Sequence, residues 1–293
     1  MYWQDMREEQ FPIAMGDVGS LCVLPLCGME KKGQHLPVGT DGFIVDAIME
    51  ETLKTEKAVI FPTGNWLGEI SACPMTNAEG ETTQLGAISL STRLQITLLE
   101  ELCDEIARNG FNKVMIVHKL PSNSLFLGFF KRHMSSLKKP YATLMVSAVN
   151  QELSKPENVL AQVKSRRAEF PSITDEDIAT LEKWAERGYG GKDVTFSDAA
   201  MVMACDETLV AKDRFDAEDY QSTHAADALE SVYVSYANMR NRNFPNGSVG
   251  YAPEGCTKSI GEAYIKINAE HMAKVFRTIK QDAQCVLWDA RYN

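Results

Sequence analysis

The chain has 293 residues, of which 44% are hydrophobic and 24% charged. That length suits one large α/β domain or two small ones, well beyond the size at which disulfides or a structural metal must hold a fold together. The formal net charge of −10 leaves no basic stripe to neutralise phosphates, which speaks against a nucleic-acid partner. No run approaches about 18 apolar residues, so no membrane span is expected. Residues Met1–Phe11 carry acidic charge and no apolar core, so no signal peptide is expected either. Seven scattered cysteines without a C-x-x-C pair predict reduced thiols in a cytoplasmic protein and exclude a zinc ribbon or thioredoxin motif.

In chain order, Leu21–Leu26 is a short apolar run and reads as a buried strand. Asp41–Lys57 places Phe43, Ile44, Ala47, Ile48 and Leu53 at helical spacing. Ala58–Phe61, closed by Pro62, reads as a second strand. Thr92–Asn109 carries the strongest helical pattern: Leu98, Leu99, Leu102 and Ile106 share a face, Thr92 and Gln95 have capping-box spacing, and Gly110 stands at the stop. Val114–Val117 and Ala142–Val149 follow as strands. Such alternation predicts a three-layer α/β/α fold with a mostly parallel central sheet. Pro156–Arg187 is polar and helical, with a helix from about Thr174 to Arg187, and suggests a helical insertion or lid over residues 155–188. Thr223–Asn238 and Ile260–Lys280 read as late helices. No linker divides the chain, so residues 1–293 are taken as a single domain.

Open parallel sheets hold ligands beyond the carboxyl ends of their strands. Three polar clusters fall there: Glu30–Asp41 after the first strand, His118–Asn123 after the strand Val114–Val117, and Asp193–Asp198 before an apolar stretch. Glu, Lys, His and Asp together between a strand and a helix are more than a turn requires.

The first of these clusters resembles the creatininase (creatinine amidohydrolase) family, whose pattern after the first strand is roughly P-x-G-x-x-E-x-H-G-x-H-L-P-x-x-T-D. Pro25, Glu30, Gly33, His35, Leu36, Pro37, Thr40 and Asp41 stand in that register. Leu85–Ser91 is similar to the family's P-G-T-I-S-L segment, and Gly247–Ala263 to its late glycine-rich segment. The resemblance runs from Leu21 to Lys280 apart from Lys155–Arg187. It implies a creatininase-like fold, hydrolysis of a C–N bond in a small cyclic amide or related polar ring, and a homo-oligomer, the hexamer being a common family form.

Family members hold two divalent metals with a Glu, a bridging Asp, two His and a further Glu. Glu30 and Asp41 match the first Glu and the bridging Asp, and Asp198 the further Glu. One imidazole position is Lys32 here, another falls on Leu120, and Asp193 also stands where the family has a His. The expectation is that the two-metal centre is absent, with no metal ligands assigned, Lys32 supplying positive charge between Asp41 and Asp198. A single divalent metal on Glu30 and Asp41, assisted by His118, stays open.

In the hydrolase reading Glu30, Asp41 and Asp198 position or deprotonate water, Lys32 stabilises the oxyanion, and His35 or His118 donates the proton. Trp66, Lys119 and Asn123 are candidates for contacting the small-molecule ligand. Each has a plainer role beside it: a salt bridge for Lys32, a hydrogen-bonded core imidazole for His35 and His118, a helix N-cap for Asp198, a core cover for Trp66. The alternative function is a non-catalytic relative that binds a metabolite or supports a partner subunit.

Overall fold

The computed structural model describes residues 1–64, 85–88, 90–119, 125–187, 195–217, 220–224, 227–232, 243, 247 and 249–282. In these residues the chain forms α1 (Phe11–Asp17), β1 (Leu21–Leu26), α2 (Thr40–Leu53), β2 (Val59–Ile60), α3 (Thr92–Arg108), β3 (Lys113–His118), α4 (Leu125–Ser135), β4 (Ala142–Ser147), α5 (Pro156–Ser165), α6 (Asp175–Arg187), α7 (Thr195–Cys205), α8 (Asp227–Glu230) and α9 (Lys258–Gln281). The four strands make an all-parallel sheet in the order β2-β1-β3-β4. The three-layer α/β architecture expected from the strand–helix alternation is the one observed.

Strand parity builds the two faces. Along β1, Leu21 and Val23 point to one core, and Cys22, Leu24 and Leu26 to the other; along β3, Met115 and Val117 take the first and Val114 and Ile116 the second. The first core joins the sheet to α2, α5, α6, α7 and α9, and the second to α1, α3 and α4. Both strands are buried on both faces, which is why their sequences read as continuous apolar runs.

Several boundaries differ from the sequence expectation for local reasons. The helix expected at Asp41–Lys57 stops at Leu53, and the strand expected at Ala58–Phe61 is Val59–Ile60. The first-turn cap of α3 is Ser91, whose Oγ accepts from the Leu94 N–H; the Gln95 side chain donates instead to the Leu90 carbonyl at 2.6 Å. The Thr92–Gln95 capping box is therefore not formed. Gly110 ends this helix segment with φ of 102°, open to glycine at little cost. Of the helix expected at Thr223–Asn238, the described helical part is the short α8, and residues 225–226 and 233–238 lie outside the described residues. Within the segment expected to be an insertion or lid, Val159, Val163, Phe170, Ile173, Leu181 and Trp184 are buried in the first core. No described helix is long and apolar enough to cross a membrane.

Two glycines set the positions of later elements. A Cβ on Gly261 of α9 would lie 1.9 Å from the Ala200 carbonyl oxygen of α7, so the two helices cross at backbone contact. Gly247 has φ of 74°, and a Cβ there would meet the Lys31 carbonyl oxygen at 2.3 Å. The first contact fixes the helix that carries Asp198; the second presses the glycine-rich segment against the loop that carries Lys32.

Candidate active site

Beyond the carboxyl ends of β1 and β3, the loop after β1, Lys119 and the first turns of α2 and α7 converge. The register pairs Leu26 with His118, so the chain leaves both central strands at the same level. The loop after β1 is pinned by the Glu30 N–H donating to the Val38 carbonyl at 3.1 Å and by the Ala211 N–H donating to the His35 carbonyl at 3.0 Å. Asp41 lies in the first turn of α2 and Asp198 in the first turn of α7, where the helix dipoles favour negative charge. Asp198 is thus inside its helix and is not the N-cap.

Lys32 Nζ lies 2.7 Å from Glu30 Oε1 and 3.2 Å from Asp41 Oδ2. Lys119 Nζ donates to Asp41 Oδ1 and to Asp198 Oδ2, each at 2.8 Å. The five groups form an alternating row: Glu30, Lys32, Asp41, Lys119, Asp198. Asp41 sits at its centre with one ammonium on each oxygen. The expected placement of Lys32 between Asp41 and Asp198 is therefore corrected: Lys32 joins Glu30 to Asp41, and Lys119 spans Asp41 and Asp198.

Parity explains why Lys119 occupies that position. Odd-numbered residues of β3 face α2, α7 and α9: Met115 and Val117 enter the first core, and Lys113 Nζ reaches the Ile279 carbonyl of α9 at 2.9 Å. Lys119, one residue past the strand, continues that series toward the acidic first turns of α2 and α7. His118 continues the even series, on the side of α3 and α4, and is buried there.

The row is most exposed at its Glu30 end. Side chains of Glu30 and Lys32 are 25% and 16% exposed, against 0% for Asp41, 11% for Lys119 and 3% for Asp198. Burial by itself would push both ammonium pKa values down, but for Lys32 the charges of Asp41, Glu30 and Asp198 outweigh it and hold the pKa above the ordinary lysine value. For Lys119, Asp198 and Asp41 do the same, against repulsion from Lys32. Burial would raise the Asp41 carboxyl, but Lys119 and Lys32 hold it below its usual range. Lys32 and Lys119 are therefore ammonium ions and Asp41 a carboxylate at neutral pH, and neither lysine is a free amine. Cys27 donates its Sγ–H to the Asp41 carbonyl at 3.6 Å; burial and then the Asp41 charge push its thiol well up, so it is not a thiolate nucleophile.

The remaining expected residues fall elsewhere. His35 is buried against Phe215 and Tyr220, with ring centroids at 5.5 and 6.0 Å and the Tyr220 hydroxyl 3.4 Å from Nδ1. Trp66, Asn123 and Asp193 lie outside the described residues. His133 and His224 pair with Glu100 and Asp227, and His271 contacts Asn150. Among the described residues, no three His, Cys, Asp or Glu side chains are grouped to hold a metal ion. The bond from Lys119 to Asp198 and the two glycine contacts were not anticipated. The signal for Lys119 was its odd position in β3; the glycine contacts, between segments distant in sequence, had none.

A parallel sheet between two helix layers, with an ionic cluster beyond the strand ends where two helices begin, defines an α/β protein whose candidate site lies at the carboxyl edge of its sheet. Residues 4–276 match the family described as Creatininase: Creatinine amidohydrolase, and the chain belongs to the creatininase family. Its fold is similar to that of a creatinine amidohydrolase (creatininase), with a TM-score of 0.67 and 13% identity over 96% of this chain and 98% of the other. It is also similar to a putative creatinine amidohydrolase from Bacteroides fragilis, at TM-score 0.63 and 18% identity over 90% of each chain. A mutant creatininase of Zn-Zn type matches at TM-score 0.66 and 14% identity over 96% of this chain and 98% of the other. No curated protein matches the sequence.

Proposed function

We propose that this protein is an amidohydrolase-like member of the creatininase family that acts on a small cyclic amide or related polar ring without the family's two-metal centre. The observation that carries the reading is the alternating row of carboxylates and ammoniums with its exposed end at Glu30 and Lys32. The donor set does not suit a pair of dications. Lys119 hydrogen-bonds Asp41 Oδ1 and Lys32 stands 3.2 Å from Oδ2, which accepts no hydrogen bond among the described residues, so each oxygen faces an ammonium, and protonated lysine has no lone pair to offer a metal. The two imidazole ligands of the family pattern are missing from the aligned positions, Lys32 and Leu120.

The division of labour follows from exposure and pairing. Asp41 is closed on both sides and Asp198 is buried against Lys119, so Glu30 is the carboxylate left to act as base. It takes a proton from water as the water oxygen adds to the ring carbonyl. Lys32, held protonated, donates a hydrogen bond to the developing oxyanion. The C–N bond then breaks, and Glu30 returns its proton to the leaving nitrogen. Lys119 holds Asp41 and Asp198 in place beneath this pair. His35, enclosed by Phe215 and Tyr220, and His118, on the opposite side of the sheet, take no step in this scheme. We further propose a cytoplasmic homo-oligomer of family type, a hexamer being the form to test by light scattering.

The test is turnover of a panel of lactams, hydantoins and dihydropyrimidines by protein stripped with chelator. Ring opening unaffected by chelator, and lost in Glu30→Gln and Lys32→Met, is expected. Activity that requires added Mn²⁺ or Zn²⁺ would overturn the reading. The internal pairing of every charge in the row favours one second reading, a non-catalytic relative that binds a metabolite or supports a partner subunit. Tight binding of a ring compound without turnover would select it.

A further inference from the structure

We infer that Lys32 and Lys119 are themselves the cations of this centre, each ammonium occupying one of two seats on the shared carboxylate Asp41 that a divalent ion would otherwise take. The inference rests on the metal-independent reading above and extends it from the reaction to the role of two particular side chains. Each seat is bounded by carboxylates from different elements: Glu30 and Asp41 around Lys32, Asp41 and Asp198 around Lys119. The bridging geometry of Asp41, one oxygen to each cation, is the arrangement by which a carboxylate joins two ions.

Charge decides which occupant the seats accept. Three carboxylates and two ammoniums leave one net negative charge, confined mostly out of water. A dication added beside both ammoniums would have to displace one of them, and each is covalently tethered within 2.7–3.2 Å of its carboxylates. Removing one lysine changes the balance. The vacated seat then holds two facing carboxylates, and one dication there brings the row to neutrality. Two carboxylates with water completing the shell suit a hard ion such as Mn²⁺.

The experiment uses the full chain, treated with chelator, returned to metal-free buffer and titrated with Mn²⁺ alone. Free Mn²⁺ is followed by electron paramagnetic resonance and unfolding by a thermal melt. Wild type and Lys119→Arg, which keeps a tethered cation, are expected to bind no Mn²⁺ and to melt at a Mn²⁺-independent temperature. Lys119→Ala and Lys32→Ala are each expected to bind about one equivalent, and their melting temperatures to rise by about 5 °C at saturating Mn²⁺. If Lys119→Ala does not fold without metal, recovery of its circular dichroism on refolding with Mn²⁺ supports the inference. Failure to recover, or a folded variant indifferent to Mn²⁺, overturns it while leaving the metal-independent reading standing. Stoichiometric metal in wild type purified without chelator overturns both.

Discussion

Two ionic networks in this protein use the same chemistry in different surroundings. At the carboxyl edge of the sheet, Lys32 and Lys119 thread between Glu30, Asp41 and Asp198, with Asp41 and Asp198 almost wholly buried. On the outer helices, Arg166 pairs with Glu270 and Glu169, and Lys266 with the same two carboxylates, with side chains 30–50% exposed. The outer network has the more elaborate bonding: Arg166 reaches both oxygens of Glu270, at 2.6 and 2.8 Å. Yet water can replace each of its partners. At Asp41 and Asp198 in the inner row no such replacement is at hand, so deleting Lys119 strands buried charge. The comparison teaches that the count of ion pairs says little, and that burial decides which pairs the fold depends on.

The largest expected effect is therefore at Lys119. Lys119→Met should destabilise the protein by about 3–5 kcal/mol in urea unfolding, because Asp41 and Asp198 are left facing each other. A loss under about 1 kcal/mol would make the two networks equivalent and break the comparison.

Next comes the crossing that places Asp198. Gly261→Ala should cost about 1–3 kcal/mol, since the new methyl enters the Ala200 carbonyl and α7 must move. An unchanged denaturation midpoint would show that the helices slide freely there.

The pH response separates the networks further. The folded Asp41 pKa is depressed, so its contribution is present above the ordinary carboxylate value of about 4 and is lost as pH falls through the folded pKa. The pKa values of Lys32 and Lys119 are raised, so their contribution is whole below about 10.4 and fades as pH rises through the folded values. Stability should hold on a plateau between these limits. In Lys119→Met the acid shoulder should move upward, as Asp41 loses the first of its two ammonium partners. An acid transition identical to wild type would detach Asp41 from the row.

Gly247→Ala tests the loop rather than the core. Its left-handed φ and the contact with the Lys31 carbonyl predict a loss of about 1 kcal/mol or more, with a larger proportional loss of any ring-opening activity through displacement of Lys32. Equal losses of both would reduce it to a stability position. The smallest effect belongs to the outer network: Glu270→Gln should change stability by less than about 1 kcal/mol, and the difference should shrink in high salt. A salt-independent loss of several kcal/mol would show that exposure is a poor guide in this chain.

The sequence by itself determined the layers and the address of the site. Apolar runs at Leu21–Leu26 and Val114–Val117, separated by helices with one apolar face, specify a parallel sheet covered on both sides. The register of Glu30, His35 and Asp41 was enough to mark the family, because those residues follow one strand within a single loop and keep local spacing. The pairing inside the row was not legible. Lys32 and Lys119 carry the same charge and both lie near Asp41, and no local spacing says which carboxylate each will reach. Only the packed structure decided it: α7 is drawn to backbone contact with α9 at Gly261, which fixes Asp198 over the end of β3. The pleat of β3 then turns Lys119 toward it and His118 to the other face. Local chemistry can place a residue at the end of a strand, but its partner comes from elements far away in sequence, and that choice is made by helix packing and strand parity together.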